Sequence, residues 1–199
     1  SPDGSKVYAT RYNGASIAVV DTATLGVTSI TGMTHPTNVS FTPDGTKAYA
    51  ITEGIDLATP SMIYVIDTAT QAITSSFSAI GFGSYDINVT ADGLSAYAVY
   101  SAGQKGVRVI TLATQSVGAV ATAGGDPQRL AIAPAGNVAY LADHSLSGVY
   151  LVKEGITRVS GSDRYATSAA ISQQAFPAGA NTVFIATGLN YPDALSAGP

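Results

Sequence analysis

Few residues of this chain belong to the types that hold metals or perform catalysis. Its two histidines, His35 and His144, have no second metal ligand at a recognisable spacing, whereas a zinc site needs three or four convergent ligands. Cysteine is absent, which excludes a disulfide framework and a thiolate metal site. No phosphate-loop, nucleophile-elbow or HExxH pattern occurs. The sequence therefore predicts no catalytic residue, no metal site and no cofactor.

The carboxylates that recur along the chain stand beside turns. One lies in Pro43-Asp44-Gly45, and Asp92 and Asp126 have similar neighbours. An aspartate in such a turn accepts a hydrogen bond from the backbone two residues on, and glycine supplies a positive φ without steric cost. The same bond is expected of Asp21 and Asp67, in VVDTAT and VIDTAT. Turn formation accounts for these acids without a calcium site.

Composition limits the possible partners. Charged residues make up 11% of the chain, the net charge is −4, and residues 1–155 hold 7 Lys or Arg against 11 Asp or Glu. Because no basic stripe is present to neutralise phosphates, nucleic acid is not an expected partner. No apolar run approaches the roughly 18 to 20 residues that a membrane helix needs, so no membrane span is predicted.

One phrase recurs four times in the first 155 residues, as SPDGSKVYAT, TPDGTKAYAI, TADGLSAYAV and APAGNVAYLA. Its tyrosines lie 41, 48 and 43 residues apart, at Tyr8, Tyr49, Tyr97 and Tyr140. A period of this length indicates a repeat architecture, in which each unit stacks on its neighbours to bury an apolar face. Alternating apolar residues bounded by turn formers predict four short strands per unit, which in the second unit are 36–41, 46–52, 62–67 and 71–77.

Four antiparallel strands at this period are typical of a β-propeller blade. The strings YVIDTAT and PTNVSFTPDGTKAYA closely resemble the YVTN family of propeller repeats, over about residues 1–155. The resemblance implies a mainly β fold, a partial and unclosed β-propeller of about three to four four-stranded blades. The first blade lacks its opening strand, and the fourth, residues 127–152, is expected to lack its outermost strand. Since an unclosed propeller exposes sheet edges, the chain is expected to be a fragment of a longer protein.

The pattern changes after residue 155. A serine and an aspartate at 162–163 can cap a helix of about three turns, which ends before Pro177. The almost fully apolar run at residues 182–186 predicts a buried strand of a parallel sheet. Pro192-Asp193 would begin a second helix. Helix, buried strand and helix in this order indicate an α/β segment.

The strings RVSGSDRYATSAAI and VFIATGLNYPDALSAGP look like the type 2 cell-wall-binding repeat of Gram-positive bacteria, across residues 156–199. The resemblance implies a flavodoxin-like α/β module, normally present in tandem copies, that holds secreted proteins non-covalently on anionic wall polymers. About half of one copy is present. We therefore expect two domains, 1–155 and 156–199, and an extracellular location at the cell wall or cell surface.

Five residues fall on motif positions of that repeat and are predicted to contribute to binding a wall polymer: Arg164, Tyr165, Asn190, Asp193 and Ser196. Arginine pairs well with phosphate or carboxylate, and loops at the carboxyl ends of parallel strands hold ligands in open α/β sheets. The alternative is structural, with Arg164 and Asp193 forming an ion pair and Asp193 capping a helix. The residues alone leave both alternatives open.

Two functions are compatible with this organisation. In the first, the chain belongs to a secreted, wall-anchored protein whose propeller is a binding or display platform for a protein or glycan. In the second, the full-length protein is an enzyme, because proteins related to YVTN propellers include lactonase-like and oxidoreductase-like ones, or because a wall-modifying catalytic part lies outside this chain. The innermost strands offer Asn38, Asn88 and Arg129 at corresponding places but no repeated histidine or acid. The first function is therefore the one predicted, and the chain itself is not expected to be an enzyme.

Overall fold

A computed structural model describes residues 1–133, 138–145, 149–152, 156–159 and 162–175. In this part of the chain the fold is mainly β, with four antiparallel sheets that follow one another along the sequence and one helix. Every pair of neighbouring strands within a sheet is also consecutive in sequence. Each sheet is therefore a simple up-and-down meander, as the repeat predicts.

The first sheet has three strands, β1 (Lys6–Arg11), β2 (Ser16–Asp21) and β3 (Val27–Thr31). The second has four, β4 (Pro36–Phe41), β5 (Lys47–Thr52), β6 (Met62–Asp67) and β7 (Ala72–Ser78). The third also has four, β8 (Ser84–Val89), β9 (Ser95–Tyr100), β10 (Gly106–Thr111) and β11 (Ser116–Thr122). The fourth consists of β12 (Pro127–Ile132), β13 (Ala139–Asp143), β14 (Val149–Val152) and β15 (Ile156–Val159). In the second sheet, β4 and β6 coincide with the predicted segments, β5 begins one residue later, and β7 begins and ends one residue later.

Four of the recurrent aspartates, Asp21, Asp44, Asp67 and Asp92, form turns as predicted, whereas Asp126 accepts the side-chain amide of Gln128. The Oδ1 atom of Asp44 accepts the backbone N–H of Thr46 at 3.0 Å, and Gly45 has a φ of +69°. The Oδ1 atom of Asp21 accepts the backbone N–H of Thr24 at 2.8 Å and its hydroxyl at 2.9 Å. These bonds to Thr24 lower the pKa of Asp21 from 3.8 to about 2. Hydrogen bonds to the charged carboxylate favour its ionised form.

Three apolar clusters lie between successive sheets. They contain residues of the first and second sheets (Ile17, Val19, Ala48, Ile66), of the second and third (Ile51, Ile63, Ile87, Ile110), and of the third and fourth (Val99, Val107, Leu130, Leu141). Three of the repeated tyrosines, Tyr8, Tyr49 and Tyr97, lie in or against these clusters. Tyr49 is 3% exposed, and the ring of Tyr8 meets that of Phe41 edge-on with centroids 4.8 Å apart. The repeated phrase is therefore used for packing between sheets.

The first strands of the last three sheets lie side by side, with β4 against β8 and β8 against β12. Each pairs with the next strand of its own sheet through a bulge after its first residue. The shared bulge makes three residues structurally equivalent: Asn38, Asp86 and Arg129.

The predicted correspondence of Asn88 with Asn38 and Arg129 is therefore wrong. Asn88 pairs with Tyr97 two positions further along its strand, and its equivalent in the second sheet is Ser40. The residue types suggested an asparagine match, but the register of the strands decides which positions correspond.

Asp86 links the third sheet to the fourth. Its side chain accepts the backbone N–H of Leu130 through Oδ2 at 2.8 Å, and the residue is 3% exposed. Burial raises the pKa of Asp86, because a carboxylate is poorly solvated there. The Leu130 bond and the positive charge of Arg129 act in the opposite direction. The inner strands thus carry one acid at the equivalent positions, and the other two residues there are Asn38 and Arg129.

The fourth sheet has the outermost strand that the sequence predicts to be missing. β15 pairs antiparallel with β14, from Val149 opposite Val159 to Val152 opposite Ile156. The prediction is wrong because the segment lies close before the helix, which groups it by sequence with the α/β part. Backbone pairing places it in the sheet instead.

The predicted helix is confirmed as α1 (Arg164–Ala175). Its cap is Asp163, whose Oδ1 accepts the backbone N–H groups of Tyr165 at 2.9 Å and Ala166 at 2.8 Å. An acidic cap satisfies N–H groups that have no partner within the helix. The strand predicted at 182–186, the second helix and the rest of the flavodoxin-like unit lie outside the described residues.

Removing β15 should destabilise the fourth sheet. A chain that ends at residue 155 lacks the pairing with β14, whereas one that ends at residue 159 keeps it. Because a net backbone hydrogen bond contributes about 1 kcal/mol, we expect the shorter chain to have a free energy of unfolding lower by roughly 2 kcal/mol. Urea denaturation of the two chains measures the difference. Equal stabilities would contradict the assignment of this strand to the sheet.

Replacing Asp86 by asparagine should change how stability depends on pH. The pKa of Asp86 is higher in the folded than in the unfolded chain, so its contribution to stability falls as the pH rises from near the unfolded value of about 3.9 through the folded value. Asparagine keeps an acceptor for the Leu130 N–H and does not ionise. We therefore expect a smaller loss of stability in Asp86→Asn between roughly pH 4 and pH 7.

The control for this comparison is Asp86→Ala. It leaves the buried N–H of Leu130 without its acceptor and should lower the free energy of unfolding by about 1 to 3 kcal/mol at both pH values. Urea denaturation of all three proteins at the two pH values is the measurement. The same pH dependence in Asp86→Asn as in the unmodified protein would contradict the raised pKa.

Candidate functional site

One end of the four sheets carries side chains that differ from repeat to repeat. The residue four positions after each repeated tyrosine is different in every unit: Tyr12, Glu53, Ser101 and His144. In three units its backbone N–H donates to the carbonyl just before an inner strand, Glu53 to His35 at 2.9 Å, Ser101 to Gly83 at 3.0 Å and His144 to Asp126 at 2.9 Å. This repeated bond places these residues at the same end of the sheets, which we call the rim.

Glu53 joins three sheets at the rim. Its Oε2 accepts the phenol hydroxyl of Tyr12, from the first sheet, and its Oε1 accepts that of Tyr85, from the third, at 3.0 Å. The hydrogen bond to Glu53 raises the pKa of Tyr12, and burial together with Glu53 raises the pKa of Tyr85. Both phenols therefore keep their protons at neutral pH and donate to the carboxylate.

Tyr12 presents an aromatic surface at the rim. Its ring lies against the imidazole of His35, with centroids 4.8 Å apart and planes inclined by 34°. The tyrosine is nevertheless 42% exposed. A ring that is supported on one side and held at its hydroxyl is a fixed surface, and part of that surface faces solvent.

The rim continues onto the fourth sheet. Nη1 of Arg129 donates to the carbonyl of Gln128 at 2.9 Å and to that of Tyr85 at 3.4 Å. Nearby, Nδ1 of His144 lies 3.6 Å from Oδ2 of Asp126, and the His144 side chain is 74% exposed. Within the described residues, no group of three or more His, Asp or Glu side chains is placed to hold a metal ion. The two histidines lie in separate contacts, His35 with Tyr12 and His144 with Asp126.

The rim residues were not predicted from the sequence, although a signal exists. When the repeats are aligned on their tyrosines, the position four residues later has a different residue type in every unit. Unlike polar residues at equivalent positions of a scaffold mark the places where packing does not dictate the residue. That comparison between units would have identified Tyr12, Glu53 and His144.

The predicted wall-binding residues lie apart from the rim or outside the described residues. Arg164 is the first residue of α1, and Tyr165 follows it with 57% of its surface exposed. Asn190, Asp193 and Ser196 lie outside the described residues, as does the proposed pair between Arg164 and Asp193. The Asp163 cap positions the start of α1. No helix among the described residues is long and apolar enough to cross a membrane.

The family model for cell wall binding domain 2 (CWB2) matches residues 158–199. The match begins within β15 and includes α1. It associates the end of this chain with cell-wall binding. No curated protein sequence matches the chain.

Solved structures with a similar fold include hydrazine synthase from Kuenenia stuttgartiensis, with a TM-score of 0.69 at 20% identity over 81% of this chain and 48% of that one. U3-55K has a TM-score of 0.67 at 15% identity, over 80% of this chain and 50% of that one. The β-propeller domain of Cps50 (Swd1) from Myceliophteria thermophila has a TM-score of 0.62 at 10% identity, over 77% and 50%.

This chain spans about half the length of these three proteins. At these sequence identities the similarity shows the fold alone and gives no information about activity. The four sheets therefore have the fold of part of a β-propeller, unclosed in this chain, and the match to cell wall binding domain 2 follows them.

Proposed function

We propose that this chain is part of a secreted surface protein of a Gram-positive cell. Its YVTN-type propeller sheets, predicted over residues 1–155 and extended to residue 159 by β15, form a binding or display platform. The segment that follows begins a non-covalent anchor to anionic wall polymers. The observation that carries the proposal is the match of residues 158–199 to cell wall binding domain 2. The location that follows is extracellular, at the cell wall.

The start of α1 supports a role in binding a polymer. The Asp163 cap fixes the first turn of the helix, and Tyr165 in that turn is 57% exposed. An arginine at the preceding position is of the type that pairs with phosphate or carboxylate groups. We propose that Arg164 and Tyr165 contribute to the polymer site together with Asn190, Asp193 and Ser196.

The anchor and the platform are joined closely in this proposal. Because β15 is the last strand of the fourth sheet, only residues 160–163 separate that sheet from α1. Such a short connection keeps the beginning of the anchor near the outer edge of the platform. A polymer bound by the anchor would then hold the sheets close to the wall.

Wall binding can be tested by sedimentation with purified cell walls. The full-length protein should sediment with walls. It should lose that binding when the secondary polymers are chemically removed from the walls. Arg164→Ala should weaken binding about tenfold, as expected for the loss of one charge-assisted hydrogen bond. The matched control is Ser168→Ala, an exposed position of the same helix outside the proposed site.

Two outcomes would count against the proposal. Equal binding to stripped and intact walls would show that the anionic polymers are not the ligand. Equal affinities of Arg164→Ala and Ser168→Ala would assign Arg164 to the structural alternative, the ion pair with Asp193.

A further inference from the structure

We infer that the rim is a carbohydrate site, in which Tyr12, Glu53, Tyr85 and Arg129 bind pyranose rings of a glycan. The inference rests on the proposed role of the sheets as a binding platform and gives that platform a class of ligand. None of the four rim residues lies in the wall-binding segment, so the two sites can be tested separately.

The site is built from four sheets, and one carboxylate holds the side chains of the first three together. Glu53 of the second sheet is half-buried and accepts hydroxyl groups of Tyr12 and Tyr85, one on each oxygen. A carboxylate has about four lone-pair positions, so two phenols leave acceptor positions for ligand hydroxyl groups. The same two bonds fix the directions of the phenol rings. The three side chains are therefore arranged before a ligand arrives.

Tyr12 has the surface that a sugar ring requires. A pyranose has a flat face of C–H groups, and a tyrosine ring offers a large amphipathic surface with few rotatable bonds. The imidazole of His35 supports one side of the Tyr12 ring, with centroids 4.8 Å apart, and the residue remains 42% exposed. Since the ring is already ordered, binding costs less side-chain entropy than it would for a mobile tyrosine.

Arg129 adds donors next to Tyr85. Its Nη1 contacts the Tyr85 carbonyl at 3.4 Å, whereas Nε and Nη2 donate to no atom of the described residues. A guanidinium has five N–H donors, so most of them are available to oxygen atoms of a ligand. Acceptors on Glu53 and donors on Arg129 together match the hydroxyl groups of a sugar, which both donate and accept.

Other ligand classes fit these residues less well. A phosphate would meet the carboxylates of Glu53 and Asp126. An apolar ligand would remove water from Glu53 without replacing its hydrogen bonds, which is costly for a charged group. A cationic peptide would be repelled by the positive charge of Arg129. A neutral, polyhydroxylated ring can donate hydrogen bonds to Glu53 and accept them from Arg129 without repulsion from either charge.

The test uses two soluble probes with the 199-residue chain, a tetrasaccharide of N-acetylglucosamine and maltotetraose. The first represents an amino-sugar polymer and the second a neutral hexose polymer, so the pair distinguishes two sources of the same ring chemistry. Calorimetric titration should show binding of at least one probe. Tyr12→Ala should weaken that binding at least about tenfold, as for a central aromatic contact, and Tyr12→Phe, which keeps the ring, by about threefold.

The control variant is Leu94→Ala. Leu94 is an apolar residue with 65% exposure that precedes β9, at the end of the third sheet opposite the rim. The Leu94→Ala variant should bind the probe with the same affinity as the unmodified chain. Thermal unfolding of all variants ensures that a loss of binding is not a loss of fold.

The carbohydrate site would be overturned if neither tetrasaccharide bound, if Tyr12→Ala bound as tightly as the unmodified chain, or if oligolysine displaced the sugar at equal concentration. Wall sedimentation separates this result from the anchor. Sedimentation without tetrasaccharide binding overturns the rim site and leaves the anchor in place, whereas tetrasaccharide binding without sedimentation supports the rim site and counts against the anchor.

Discussion

Apolar contact between successive sheets is the interaction on which the rest of this structure depends. A single meander has two faces and cannot cover either by itself, so Ile51 and Ile63 reach 0% exposure only because the third sheet lies against the second. Fully burying one such side chain contributes about 1.5 to 3 kcal/mol, and each interface contains several. The sheets must therefore be stacked to be stable, and stacking requires the same apolar residues at the same places in each unit.

This requirement explains why the repeated residues carry no chemistry. Three of the four tyrosines pack between sheets. Aspartates and glycines close turns, with Asp44 and Asp21 bonded to backbone N–H groups. The rim residues, at the end of the sheets away from these turns, are under neither constraint. At the rim the backbone bond is kept, 2.9 Å from Glu53 to His35 and 2.9 Å from His144 to Asp126, while the side chains change. A constant backbone with unlike side chains is what a binding surface needs.

The sequence predicts the elements of the fold well, and the contacts between them less well. Alternation and turn residues located β4 and β6 to the residue, and the cap and helical spacing located α1, because these are local properties. The equivalence of Asp86 with Asn38 depends on a bulge in each inner strand, which residue types do not reveal. The Glu53 contacts join residues 41 and 32 positions away, and such pairs are visible only once the sheets are stacked.

β15 shows how one segment can satisfy two patterns. Residues 156–159 have the composition of a strand and stand directly before a helix, so they fit the beginning of an α/β unit, and the match to cell wall binding domain 2 begins at residue 158. Their backbone nevertheless completes the fourth sheet. The four residues from 160 to 163 can span at most about 17 Å between that strand and the helix. The segment that matches cell wall binding domain 2 is thus tethered to the edge of the propeller sheet, because its first two residues belong to β15.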